Sequence, residues 1–160
     1  MTPGRENVAA ALAALFATLN SDGTWTVSAA SLIAAGFKTF NRRVQLWTKV
    51  DANDKPALFL VNYDEDHDRK SIIGPDKNTM HFELVIYDDV SDPSVIPSQR
   101  MNNLLDAIDT VLLQATNQLV GRATLGGIVH HVWVEGSAKV APGDLDNQSV
   151  ATYPLRVLVP

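Results

Sequence analysis

At 160 residues, with 46% hydrophobic and 19% charged side chains, the chain is long enough to bury one core and too apolar to remain disordered. Its net charge of -5 supplies no basic footprint for gripping nucleic-acid phosphates, and its lack of cysteine excludes disulfides, thiolate nucleophiles and Cys-ligated zinc. The longest apolar stretch near the N-terminus, Val8 to Ala17, is too short to span a bilayer and has no leading basic cluster, Arg5 being followed by Glu6. The expectation is a cytoplasmic, unprocessed product.

Thr2 and Pro3 read as the N-cap and first position of a helix, since proline there loses no needed N–H. Val8, Leu12, Leu15, Phe16 and Leu19 recur at helical spacing, and Asn20-Ser21-Asp22-Gly23 supplies the turn that ends the segment. Ala29 to Ala35 suits a short helix stopped by Gly36. Phe37 to Val50 reads as an extended arm that leads into a sheet. Pro56 opens a strand, Ala57 to Val61, that is apolar on both faces. From Thr79 to Tyr87, Met80, Phe82, Leu84 and Ile86 alternate with His81, Glu83, Val85 and Tyr87, the period of a strand. Beyond Pro93 and Pro97 a helix runs from Ser98 to Gln118. Its apolar stripe holds Met101, Leu104, Leu105, Ile108, Val111, Leu112 and Ala115, with Gly121 as its C-terminal cap. Ile128 to Val134 and Tyr153 to Val159 complete the strands. Two connections, Asp64 to Asn78 and Gly136 to Ser149, are long for a compact domain, a sign of function.

No reactive constellation emerges from this order. Asp64-Glu65-Asp66-His67-Asp68 has carboxylates and an imidazole, but it lacks the central glycine and distal glutamate of a calcium loop, so a solvated hairpin tip explains it. His81, His130 and His131 fall on expected strands, where alternation sends His130 and His131 to opposite faces and leaves no convergent third group. Leu125-Gly126-Gly127 is too short for a phosphate loop, and no Gly-x-Ser-x-Gly elbow occurs. No catalytic residue, metal ligand or cofactor is expected. Ile72 and Ile73, set in a charged loop, must fold onto the core or be covered by a partner, and the binding role of loops favours a partner. The candidate partner-binding residues are Ile72, Ile73 and Pro75 in the first long loop and Pro142 and Asp144 in the second.

A wider pattern overlays these elements. Arg42-Arg43 with Trp47, Pro56-Ala57-Leu58-Phe59 and Leu84-Val85-Ile86-Tyr87 lead to Ser94-x-x-Pro97 and the helix segment Asn102 to Ile108. Thr124-Leu125-Gly126-Gly127-Ile128-Val129-His130-His131 and a closing Pro154-Leu155-Arg156-Val157 strand complete it. From about Phe37 onward, and in the N-terminal helix, the chain resembles the tail terminator (tail completion) proteins of long-tailed bacteriophages. The resemblance implies a single α+β domain over 1–160, with two main helices on a mixed or mainly antiparallel sheet of four to five strands. It also implies a ring, commonly a hexamer, that caps the tail tube, stops its polymerisation and meets the head-side connector. The expected partners are further copies of the chain, the tail tube protein and a connector or neck protein. DNA would be passing cargo only, and no membrane is involved. The product would reside in the neck region of the virion after assembly in the host cytoplasm. Rival readings are a head-closure, neck or tail-tube protein, or, in another class, a small hydrolase or ligand-binding domain using the histidine-bearing strands.

Overall fold

The computed structural model describes residues 3–68, 77–141 and 147–160. The order is α1 (Arg5–Ala13), β1 (Ala17–Leu19), β2 (Trp25–Val27), α2 (Ala30–Ala35), β3 (Thr39–Asn41), β4 (Ala57–Asp68), β5 (Lys77–Asp89), α3 (Pro97–Ala115), β6 (His131–Val134), β7 (Lys139–Ala141) and β8 (Gln148–Val159). The fold is α+β, as expected, but the main sheet has six strands and β1 and β2 form a separate hairpin. Its strands run β3-β4-β5-β8-β6, with β7 also on β8. Only β3 and β4 are parallel, so the sheet is mixed.

The alternation of β5 decides which face holds the core. Met80, Phe82, Leu84 and Ile86 are buried beneath the helices, and Leu155, Val157 and Ala151 of β8 join them. Onto this face pack Val8 and Leu12 of α1, Phe16, Val27, Leu32 of α2, and α3. The buried residues of α3 are Met101, Leu104, Ala107, Ile108 and Val111. Leu105 and Leu112, expected in the same stripe, are only partly buried at its margin. Tyr153 of β8 donates its hydroxyl to Asp109 of α3, which ties the helix to the sheet.

Several expected boundaries move, each for a local reason. The first helix begins after Gly4, so Pro3 precedes it, and Thr2 lies outside the described residues. It ends at Ala13 rather than reaching Leu19, because the Asn20–Thr24 turn closes a hairpin instead of a helix. Asn20 Nδ2 donates to Thr24 and Thr26 hydroxyls at 3.0 and 2.9 Å, and Gly23 takes a φ of 84°. The short helix stopped by Gly36 is present, with Gly36 left-handed at φ 95°. Gly121 does not cap α3. Thr116 ends that helix, and Gly121 sits at φ 64° in a separate turn whose base pairs Asn117 with Arg122.

The last strands also differ from the reading. Leu125, Gly126 and Gly127 have positive φ and form a turn in which the Gly127 and Val129 N–H groups both donate to Thr124 O, so Ile128 and Val129 still belong to that turn and β6 starts at His131 rather than Ile128. β8 begins at Gln148, well before Tyr153, and β7 lies within the expected Gly136 to Ser149 connection. The acidic run is not a hairpin tip. Asp64 to Asp68 are paired strand residues of β4, and β5 already begins at Lys77. Their backbone groups enter the ladder while their side chains face water at a sheet margin, a placement that suits charge.

Two measurements check this packing. Ile108→Ala is expected to lower stability by about 2–5 kcal/mol in denaturant unfolding, whereas Leu113→Ala, exposed on the same helix, should change it by less than about 0.5 kcal/mol. Burial, then the hydrogen bond to Asp109 and its charge, raise the Tyr153 phenol well above the ordinary tyrosine range. A folded-state value above the unfolded one stabilises fully below the unfolded value, and that stability disappears as pH rises through the folded one. Ultraviolet titration should therefore find Tyr153 titrating late, alongside a Tyr87 also raised by burial, and Asp109→Asn should move only the Tyr153 step toward the ordinary range.

Candidate functional site

The candidate partner-binding residues Ile72, Ile73, Pro75, Pro142 and Asp144 all lie outside the described residues. The described chemistry collects instead on the sheet face turned away from the helices. One half of that face is closed. The 45–55 segment folds over Ala57, Phe59 and Tyr87, with Trp47 and Val50 packed on them. Trp47 donates its indole N–H to the Asp88 carbonyl at 3.0 Å, and Tyr87 donates its hydroxyl to Gln45 O at 2.8 Å. The Lys55 ammonium lies 3.2 Å from the Trp47 ring centroid, and burial lowers its pKa from the usual lysine value. Asp88, 1% exposed, receives Nε and Nη2 of Arg100 at the start of α3 and so anchors that helix to the end of β5. Arg42 is likewise engaged, forking onto the Glu6 carboxylate at 2.6 and 3.0 Å and holding that carboxyl below its usual range.

The other half of the face is open. Register places Asp64 beside His81, His81 beside Arg156, and Arg156 beside Trp133. His81 is buried beneath this margin, its Nε2 at 2.9 Å from Asp66 and its Nδ1 at 3.9 Å from Asp64. A register shift between Asn62 and Asp64 leaves Tyr63 without a partner on β5, and its ring meets His81 edge-on at 6.3 Å. Such a bulge re-aims a side chain, and Tyr63 is 55% exposed.

Toward the β6 margin an open cleft of about 550 Å³ is lined by Lys77, Arg122, His130, His131, Trp133 and Leu158. His131 stacks on Trp133 with centroids 5.4 Å apart. The expectation that His130 and His131 face opposite sides fails here. His130 lies outside β6, its N–H bound to Leu158 O, so strand alternation does not separate the two and both reach the cleft. Sequence spacing missed this grouping because Lys77, Arg122 and the histidines come from three distant segments. The two charged groups of the lining, Lys77 and Arg122, are both cations, and Glu135 accepts the Trp133 indole N–H without entering it.

Among the described residues no group of three or more His, Asp or Glu side chains is placed to hold a metal, and none of the described helices is long and apolar enough to cross a membrane. No protein-family model matches the chain, and no curated protein shows significant similarity to it.

The lining charge bears on metal binding. Lys77 and Arg122 repel a divalent cation from His130 and His131. Zinc titrated calorimetrically is expected to bind the protein no more tightly than a His81→Ala, His131→Ala variant. A stoichiometric zinc lost on substitution would show that these imidazoles converge on a metal.

Proposed function

We propose that this chain is a structural assembly protein of a long-tailed bacteriophage. In this reading it forms a ring that caps the tail tube, stops tube polymerisation and gives the tail-side surface for head–tail joining. The sequence pattern from Arg42 to Val157 and the α+β fold both suit that family. The observation that carries the reading is the unfinished outer face of the sheet. Helices cover the core side of β4, β5 and β8, while among the described residues the other side is sealed only over Ala57, Phe59 and Tyr87. β3 pairs with β4 only as far as Phe59, so among the described residues no strand lines the β4 edge from Leu60 to Asp68. Exposed strand edges are pairing surfaces, and a chain that keeps one beside Tyr63 is shaped for neighbouring subunits.

Net charge suits a passive channel. At -5 per chain, a closed ring of about six would carry several tens of excess negative charges. Threading DNA would be repelled weakly rather than held. The partners are then further copies, the tail tube protein and the connector or neck protein, and the protein's place is the virion neck.

Removing the protein from an assembling phage tests the role. Over-long tails, or tails that fail to join heads, are expected. Tails of normal length joined to filled heads would refute it. Absence of all tails would point to a tube subunit, and complete, normal-length tails left unjoined would point to a neck protein.

A further inference from the structure

The open half of the sheet face carries two opposed margins. On the β4 side stand Asp64 and Asp66 with the bulged Tyr63, all exposed on an edge that no described strand lines. The two carboxylates face His81, yet their side chains remain 56% and 71% exposed. From the start of β5 across β8 to β6 the cleft gathers Lys77, Arg122, His130 and His131 around the Trp133 ring and Leu158. Beside it the turn before Arg122 lifts Leu119 and Val120 into solvent, Leu119 being 95% exposed. In a chain of net charge -5, such a concentration of cations is a local exception. Neither Lys77 nor Arg122 forms an ion pair among the described residues. Arg156, in register between His81 and Trp133, has a buried Nη1 with no hydrogen-bond partner.

The two margins complement each other in kind: carboxylates around an exposed aromatic ring, and cations around an aromatic and aliphatic floor. Within one molecule Asp64 and Asp66 cannot reach Arg122 or Trp133, because strands β5 and β8 separate β4 from β6 by roughly 14 Å at normal strand spacing, whereas Lys77, on β5 opposite Asp68, forms the near wall of the cleft. We propose that the Lys77, Arg122, His130, His131 and Trp133 cleft receives the Tyr63–Asp66 margin of β4 from a second copy of this chain. The contact is heterologous, one margin against the other, so a joined pair still presents one free acidic margin and one free basic margin. Repeated with a fixed rotation it closes a ring; without closure it makes a filament. This inference rests on the assembly reading above and gives that ring its joint. Tyr63 would supply the aromatic anchor and the charges the orientation, as is usual at protein interfaces.

The absence of cysteine makes the joint directly testable. In one arm, Lys77→Glu with Arg122→Glu, and separately Asp64→Lys with Asp66→Lys, are followed by light scattering over a concentration series and by electron microscopy. Thermal unfolding like that of the parent chain verifies the fold. Each pair is expected to raise the concentration needed for assembly at least tenfold, and all four changes together should restore it by exchanging the charges. In a second arm, the double variant Asp64→Cys, Val120→Cys, whose two positions lie on opposite sides of β5 and β8 in one chain, is treated with a short bis-maleimide. Cross-links between margins should yield a covalent ladder ending at the ring number. A ring that survives Lys77→Glu with Arg122→Glu, or one that gives no ladder, would overturn the joint while leaving the ring standing. A parent chain that forms no ring at any concentration, nor on tail tubes, would overturn the assembly reading and the joint together.

Discussion

The antiparallel pairing of β5 with β8 is the constraint on which everything else in this fold rests. It runs the whole length of β8, from Gln148 opposite Asp89 to Val159 opposite Asn78. Side chains alternate along both strands, so this one register assigns Met80, Phe82, Leu84, Leu155 and Val157 to the helical side and His81, Arg156 and Leu158 to the other. A slip by one residue would exchange the two sets, placing the imidazole and guanidinium under the helices. The apolar density of the core side makes that exchange prohibitive. The polar face is therefore as tightly specified as the core, though among the described residues little packs on its β4 and β6 margins.

From that register the molecule builds outward unevenly. Asp88, near the end of β5, is buried and receives Arg100, which sets where α3 starts. The Asp88 carbonyl accepts from Trp47, which draws the 45–55 segment over the outer face. One residue thus fixes a helix by its side chain and a covering segment by its backbone. A buried carboxylate of this kind is costly unless paired, so the Arg100 contact keeps this corner in one arrangement. Among the described residues no buried, paired carboxylate like Asp88 stands at the far end of β5, where the strand meets the acidic part of β4. There the outer face stays open, and stability is supplied from the core side alone.

What the sequence made legible follows the same division. Strong alternation in β5 and the long apolar stripe of α3 were readable because core packing agrees with local pattern there. Gly36 was readable as a stop because a left-handed residue is needed at that point. The β1–β2 hairpin was not, since Leu15, Phe16 and Leu19 match helical spacing while Phe16 is buried from a turn. The acidic stretch of β4 was misread for a related reason. Charge suggested a loop, yet an edge strand has one side and one margin in water and tolerates aspartate there. The cleft was invisible in a different way. Lys77, Arg122 and the histidines are ordinary surface residues until β8 and the 122–123 bridge to β6 bring them together.

The arrangement of charge on the open face is better understood as a gradient than as a site. Asp64 and Asp66 on β4 and Arg122 beside β6, with Lys77 between them on β5, give one sheet face a direction running across its strands. Such a dipole of exposed charges adds little to the stability of a single chain, because water and salt screen it over about 10 Å. Its consequences appear between molecules, where approach in one orientation brings unlike charges together and the reversed orientation brings like charges together. A ring needs each copy to meet its neighbour head to tail through a single such contact, whereas a two-fold dimer must make the same contact twice, each margin of one copy on the other margin of its mate. Hydrophobic contact from Tyr63, Trp133 and Leu119 would hold neighbours with little sense of direction. The gradient supplies the sense, and the stiff β5–β8 register beneath it keeps the two margins at a constant separation in every copy.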